Sequence, residues 1–503
     1  MSIADALSRA RDNSPFLAGL IERNADLIPA IEAGDFDGAL ASALARQSDK
    51  VAATLRLQRQ GVALVTGIAD LAGIWDLTRI TRILSDFADH ALDVAIAAAI
   101  EERMPGAANQ GFAVIALGKH GGQELNYSSD IDPIFLFDPE TLPHRERDDV
   151  AEAAVRYGRR VIELLSAIDA DGYVFRVDMR LRPSPEASPI VLPIEAAISY
   201  YESSALAWEQ AAFIRSRVCA GDRDMGDYFL KAIQPFIWRK SLDFGQLKNI
   251  TNMTGQIRAA YSKGQQLGPG FDVKRGHGGI RECEFFAQAH QLIHGGRDAA
   301  LRVADTRAAL AVLGQAGWIK PSEAQTLAQA YGTLRTVEHR LQMHDDRQTH
   351  SIPENSETAD AVARLHGLKD GEALLALLRP VTAEVAAIYD RMVDENGTDG
   401  PRLADEGLPL EDQLRDMGYT DPAAVMQRLV RWRSGKIRAI RSTSAREAFE
   451  AVLPAIMAAL AQAPDRDQAI ARFDNMIEMM SSAINVFRLL EARPALLQLV
   501  ADI

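Results

Sequence analysis

Three acids carry the clearest chemical potential in this sequence. Asp130 and Asp132 stand two apart in Ser128-Ser129-Asp130-Ile131-Asp132, and Asp178 lies in YVFRVDMRLR, residues 173–182. Residues two apart in a strand project to the same side. At the opening of a strand 131–138, Asp130 and Asp132 would therefore present both carboxylates to one cleft. Close carboxylates repel one another unless a cation neutralises them. A hard divalent ion, Mg2+ above all, suits such a pair and binds one or two carboxylates together with substrate phosphates. In 173–182, Arg176, Asp178, Arg180 and Arg182 alternate on one face of an expected strand, with Val177, Met179 and Leu181 on the core face. Burying that charged face without ligands is costly. Asp178 as a third metal ligand, with the arginines facing phosphate oxygens, accounts for it. A solvent-facing sheet with self-paired charges is the alternative, and an Asp-x-Asp alone marks many solvated loops and helix caps. The two motifs together, after an apolar strand and a glycine turn, favour a site for metal and phosphate.

Other candidates are weaker. Lys274-Arg275-Gly276-His277-Gly278-Gly279 precedes a helix expected from Ile280. Backbone N–H groups at a helix start, with Lys274 and Arg281 nearby, make an anion site. The alternative is an ordinary glycine turn with surface cations and a local Arg281–Glu282 pair. His290 and His294 are spaced as zinc ligands can be, but without an intervening glutamate they read as a partly buried pair beside a core face. His344-Asp345 reads as a chance pair. Phe236, Trp208 and Trp238 read as core residues.

The elements that must position these residues follow from periodicity. Up to about residue 104 the chain is Ala- and Leu-rich at three- and four-residue spacing, and ITRILSDFADHALDVAIAAAIEER reads as one long amphipathic helix. Met104-Pro105-Gly106 ends it. GFAVIALG (111–118) and IDPIFLFD (131–138) are short apolar runs around a glycine-, asparagine- and serine-rich loop. Residues 149–168 are helical, and 171–184 alternate as a half-buried strand. Helix dominates again from about 194. Segment 392–410 gathers Gly, Pro, Asp and Glu as a linker, and 411–503 is helical. The expected class is α+β: a mixed sheet flanked by extensive helical regions. The expected division is a helical region 1–104, a core 105–222, a helical domain 223–391 packed on it, and a helical linker 411–503.

Composition excludes several classes. The chain has 503 residues, 47% hydrophobic and 25% charged, which is globular composition. With 55 Lys+Arg against 69 Asp+Glu, the net charge is −14. A nucleic-acid binder usually carries a basic footprint, and aromatics at 6% offer little base stacking. Two cysteines, Cys219 and Cys283, make neither a disulfide framework nor a zinc motif, so a reducing, cytoplasmic setting is expected. No signal peptide or membrane-spanning run is present in the sequence; the latter needs ~18 apolar residues.

GFAVIALGKHGGQELNYSSDIDPIFLFD and GYVFRVDMRLRPSPEASPIVL resemble the glutamine synthetase adenylyltransferase/adenylyl-removing enzyme family, of the DNA polymerase β-like nucleotidyltransferase superfamily. The likeness continues in WEQAAFIRSRVCAGD, FIWRKSLDF, VKRGHGGIRECEFFAQAHQLIHGGRD and LRTVEHRLQMHDDRQTHSIP. It implies a polymerase β-like sheet with Asp130, Asp132 and Asp178 as catalytic, Mg2+-binding carboxylates. It places Gly118, Lys119 and Ser129 at the turn that meets phosphate, with Arg180, Arg182, Lys274 and Arg281 as further phosphate or nucleotide contacts. It implies two nucleotidyltransferase copies joined by a helical linker. This chain looks like the N-terminal copy and most of the linker, ending before a second copy. That copy removes AMP from a tyrosine of glutamine synthetase by phosphorolysis, releasing ADP. Forward adenylylation with ATP, and a non-catalytic module binding glutamine synthetase and the signalling protein PII, are the alternatives. Three residues depart from the family pattern: His120, Pro133 and Cys283. Proline at 133 lacks a ladder N–H at the expected metal site. Glu338, Arg340 and Gln348 match the family without an evident chemical role.

Overall fold

The computed structural model describes residues 2–239 and 266–396 and, with short interruptions, 410–490. The described residues form two compact units, one running to Arg391 and the other beginning at Met392.

In the first unit, the long apolar periodicity becomes two helices, Val51–Ala72 and Leu77–Glu101. Gly73, in the left-handed region at φ 69°, ends the former, and the Asp76 side chain accepts from the Arg79 N–H to begin the latter. The chain then enters β1 (Phe112–Leu117) and, past a loop, β2 (Asp132–Phe137). Both strands pair antiparallel, with Leu117 opposite Asp132. β3 (Val191–Pro193) adds parallel to β2, and β4 (Arg217–Gly221) adds antiparallel to β1, giving the order β3-β2-β1-β4. The fold is α+β with a mixed sheet, as the sequence implies.

The apolar runs of β1 and β2 are continuous because both faces are covered. Phe112, Val114, Ala116, Phe135 and Phe137 join the core of the N-terminal helices. Ala113, Ile115, Leu117, Ile134 and Leu136 join a second core with Ile194–Ser203 and Arg223–Ala232. Phe236 is buried in this second core and Trp238 packs against it, whereas Trp208 is 41% exposed, contrary to the core reading.

The expected strand 171–184 is a correction. The segment is extended but touches the sheet at one residue, through a parallel bridge between Val177 and Ile131. The Ile131 N–H donates to the Arg176 carbonyl at 3.0 Å, and the Asp178 N–H to the Ile131 carbonyl at 2.9 Å. The chain then turns through Pro183, Ser184 and Pro185, with Ser184 at φ 44°. Two prolines and a left-handed residue cannot continue a ladder.

The same bridge explains Pro133. Backbone groups two residues apart point to the same side of a strand. Ile131 points away from β1, so position 133 does too. It falls between the bridge at Ile131 and the β3 ladder, which starts at Phe135 opposite Val191. Among the described residues no partner awaits the N–H that proline lacks, and Pro133 still pairs opposite Ala116.

In the second unit, Pro422–Arg433, Thr443–Ala461 and Arg466–Met479 pack around buried Trp432, whose indole N–H donates to Asp474 at 2.7 Å. The expected linker 392–410 lies largely outside the described residues. Among those described, no helix is long and apolar enough to cross a membrane.

Candidate active site

The end of β1 and the start of β2 bring the first carboxylates together. Gly118 follows β1 at φ 58°, and a Cβ there would lie 3.0 Å from Asp132 Oδ2. Glycine thus permits both the backbone conformation and the close approach to the acid. Residues 118–121 form one helical turn, after which a loop returns to Asp130. That loop is anchored by the helix Pro321–Asp345 and by Asp346 just beyond its end. Gln342 accepts from the Ser128 N–H at 2.9 Å, and the Ser128 hydroxyl donates to the Asp346 carbonyl at 3.0 Å. The Ser129 hydroxyl accepts from the Asn126 N–H at 3.1 Å, closing the turn before Asp130.

Asp130, Asp132 and Asp178 line one cavity of about 350 Å³, together with Gly118, Lys119, Ser129, Arg180, Lys274 and Arg281. Of the arginines expected to face phosphate, Arg176 and Arg182 are absent from it; Arg176 instead binds Asp130. The Arg182 guanidinium is bound to the carbonyls of Met179 (2.8 Å) and Pro185 (2.6 Å), holding the 179–189 turn. The alternation that placed Arg182 beside Asp178 fails because the segment meets the sheet only at Val177 and turns from Arg180.

The three carboxylates differ in environment. Arg176 donates to Asp130 at 2.7 Å, and the Gln348 amide donates to its other oxygen at 2.8 Å. Arg180 pairs with Asp178 and holds it below the usual carboxylate range. Arg180 is itself 85% exposed, so this partner is free to yield. Asp132 has no hydrogen-bond partner among the described residues. Burial, then the charges of Asp178 and Asp130, raise it to about 7. An unpaired acid between two others is the donor set that a divalent cation satisfies, so the residues fit such an ion. The trio is not gathered as tightly as Asp89, His120 and Cys219, whose ligand atoms lie within 4.8 Å of one another. Asp89 in that second cluster is already bound through both oxygens by Arg217 and accepts from His120 at 2.7 Å. A guanidinium fills its cation position, and His120 reads as a link between the 118–121 turn and the helix Leu77–Glu101.

Several cavity residues carried no assigned role in the sequence reading. Arg215, Glu284, Gln342, Gln348 and His350 all line it. Lys119 donates to both oxygens of Glu338, at 2.8 and 2.9 Å. Glu338 is completely buried, with Arg335 at 3.1 Å and His350 at 2.7 Å. Burial drives Lys119 down to about 7 against the pull of Glu338, with Arg335 and Lys274 adding to the decrease. Burial pushes Glu284 up, but Arg215, Lys274 and Lys119 more than offset this and hold it well down. Gln342 keeps one buried amide nitrogen without a partner. The EHRLQ and DRQTH stretches, which resemble the family, were the signal for Glu338, Gln342, Gln348 and His350. Arg340 instead pairs with Asp70 at 2.6 Å, away from the cavity.

The glycine loop differs from the anion site expected of it. Asp272 accepts from the N–H groups of Lys274 and Arg275, Glu282 from that of Gly278, and Val273 and Lys274 carbonyls from those of Ile280 and Arg281. Its backbone donors are engaged internally, and only the Lys274 and Arg281 side chains reach the cavity. The His290 imidazole donates to the Phe286 carbonyl at 2.8 Å and His294 stacks on Trp318, in keeping with structural roles. His344 likewise donates to the Asn13 carbonyl at 2.9 Å. A larger open cleft of about 910 Å³ lies at the opposite end of the strands, among Asp138, Glu195, Asp222 and Tyr228. The smaller cavity is the chemical candidate, because only there do the three aspartates meet cations.

Comparison with known proteins gives the family of the chain. Residues 3–232 match the family model for glutamate-ammonia ligase adenylyltransferase, and residues 251–393 match that for GlnD PII-uridylyltransferase. Bifunctional glutamine synthetase adenylyltransferase/adenylyl-removing enzymes are similar along nearly the whole chain. The one from Caulobacter vibrioides is 37% identical over 97% of this chain and 52% of its own length. That from Rhizobium meliloti is 37% identical over 89% and 47%. That from Xanthobacter autotrophicus is 36% identical over 98% and 52%. The chain thus spans about half the length of the curated relatives it matches.

Proposed function

Because the chain belongs to the family of glutamine synthetase adenylyltransferase/adenylyl-removing enzymes, we propose that it is a nucleotidyltransferase that removes AMP from an adenylylated tyrosine of glutamine synthetase. Inorganic phosphate is the attacking group and ADP the product. The observation that carries this reading is the convergence of Asp130, Asp132 and Asp178 on a cavity that also holds Lys119, Arg215, Lys274 and Arg281. An AMP diester and a phosphate are both anions, and those cations suit them. The phosphorolytic direction rests on the motif likeness to the N-terminal copy of the family.

Asp130, Asp132 and Asp178 would hold Mg2+, which when bound neutralises charge on the reacting phosphoryl oxygens. The remaining work belongs to the chain. Arg176 and Gln348 fix Asp130 from two sides. Gly118 lets the turn close on Asp132. Arg180 balances Asp178 and is exposed enough to exchange it for another cation. Lys274 and Arg281 orient phosphate by charge. A phosphate oxygen attacks the α-phosphorus, the bond to the tyrosine oxygen breaks, and AMP leaves as part of ADP. We assign residues 105–222 as the catalytic core, flanked by helical regions 1–104 and 223–391, with 411–503 as a regulatory linker. The match of 251–393 to a PII-uridylyltransferase model supports PII as a regulatory partner, in a cytoplasmic setting.

Incubating the chain with adenylylated glutamine synthetase, Mg2+ and phosphate tests the reading. ADP release supports it. Incorporation of AMP from ATP into unmodified glutamine synthetase would instead assign the forward reaction. Binding without either reaction would leave a regulatory module.

A further inference from the structure

Lys119 occupies a position that anion binding alone does not explain. An ammonium has three N–H donors. Two of them go to the two oxygens of Glu338, and among the described residues no third acceptor is present. The side chain is only 12% exposed, yet it lines the cavity of the three aspartates. The charged and titratable groups around it are Glu338 and Arg335 on the helix Pro321–Asp345, His350 beyond it, Lys274 on the glycine loop, and Glu284 on the helix Ile280–His294. The cavity's arginines, Arg180, Arg215 and Arg281, keep their protons at any working pH. A lysine, by contrast, becomes a proton carrier once burial lowers its affinity for the proton.

We propose that Lys119 is the catalytic group that gives a proton to the departing tyrosine oxygen, with Glu338 as the positioning residue that orients and charges it. This rests on the phosphorolysis reading. As the phosphorus–oxygen bond to tyrosine breaks, its electron pair stays on the tyrosine oxygen, which takes a proton from Lys119 Nζ. The new bond joins the phosphate oxygen to the α-phosphorus. Lys119 is left neutral and regains its proton from water entering the cavity it lines. In the opposite direction the same amine accepts the tyrosine proton. Phenolates are basic, so protonating one as it leaves lowers the barrier, and such a donor is worth roughly 100- to 10,000-fold.

The test uses the full chain and two readouts. Competitive labelling of amines with acetic anhydride, followed by mass spectrometry, titrates Lys119 without substrate. The expected midpoint is near neutrality, moving lower in Glu338→Gln, which removes the anion that stabilises the ammonium. A midpoint in the ordinary lysine range, near ~10, overturns the proposal. In phosphate-dependent ADP release, the wild-type rate should fall as pH rises through that midpoint, and Glu338→Gln should move this limb to lower pH. Lys119→Arg should lose about 100-fold or more, and Lys119→Ala should regain rate with added ethylamine. A purely structural role would move neither the limb nor the response to amine. Wild-type release of ADP matched by Lys119→Arg overturns this inference alone. No ADP release from the wild type overturns the phosphorolysis reading, and the inference with it.

Discussion

Asp132 is the central acid of the candidate site, and its ionisation has consequences for folding. Burial and its two acidic neighbours raise it to about 7. A raised acid favours the fold most where both states are protonated, below its unfolded value of ~3.9. That advantage is lost as pH climbs until it passes about 7. Asp132→Asn, which does not titrate, should therefore be the more stable protein at pH 8 without metal, by about 1 kcal/mol or more. Thermal melts check this, the expected difference being a few degrees. Mg2+ should reverse the order by stabilising the wild type alone. Melts that coincide at every pH and do not respond to Mg2+ would contradict the assignment. The acids were legible in the sequence because a two-residue period is enough to place Asp130 and Asp132 on one side. Arg182 was misread for the same reason: the period was carried past the single bridge at Val177, beyond which the chain turns from Arg180. Lys119 was legible as a cavity residue, but not its partner, since Glu338 is 219 positions away.

At the scale of elements, β1, β2 and the long helices were legible in the sequence, but the expected strand 171–184 and the short pieces were not. β3 has three residues and β4 five, too few to show a period, and their pairing is set by neighbours distant in the chain. The helix Pro321–Asp345 was visible as a helix, but the side that closes the cavity was not. Its residues from Leu334 to Met343, apart from Thr336, are buried, polar and apolar alike, so it has no simple amphipathic stripe. Two substitutions test the elements. Pro133→Ala restores an N–H that faces the gap between the Ile131 bridge and β3. It should leave ADP release unchanged and lower stability by no more than about 1 kcal/mol through the unfolded chain. A collapse of activity would mean that this position is strained. Gly278→Ala should be far worse. Gly278 has φ 77°, and a Cβ there would lie 1.9 Å from the Thr382 carbonyl oxygen. A loss of at least ~1–3 kcal/mol in chemical denaturation is expected; wild-type stability would show that the glycine loop can move off the helix Gly371–Asn396.

At the scale of the whole first unit, the sheet lies between two helical cores, and the candidate cavity opens beside Gly118 and Asp132. Helices distant in sequence supply Glu284 and Gln342 to its lining, and the fully buried Glu338, which holds Lys119. The net charge of −14 carries no global basic footprint, and the candidate cavity gathers Lys119, Arg180, Arg215, Lys274 and Arg281. The most direct measurement is single-turnover ADP release from adenylylated glutamine synthetase, with Mg2+ and phosphate, by the wild type and by Asp130→Ala and Asp132→Ala proteins of matching circular dichroism. We expect ADP from the wild type and a loss of at least about 1,000-fold in each variant, the scale on which removal of a catalytic electrostatic group is felt. Wild-type rates in either folded variant would contradict the account.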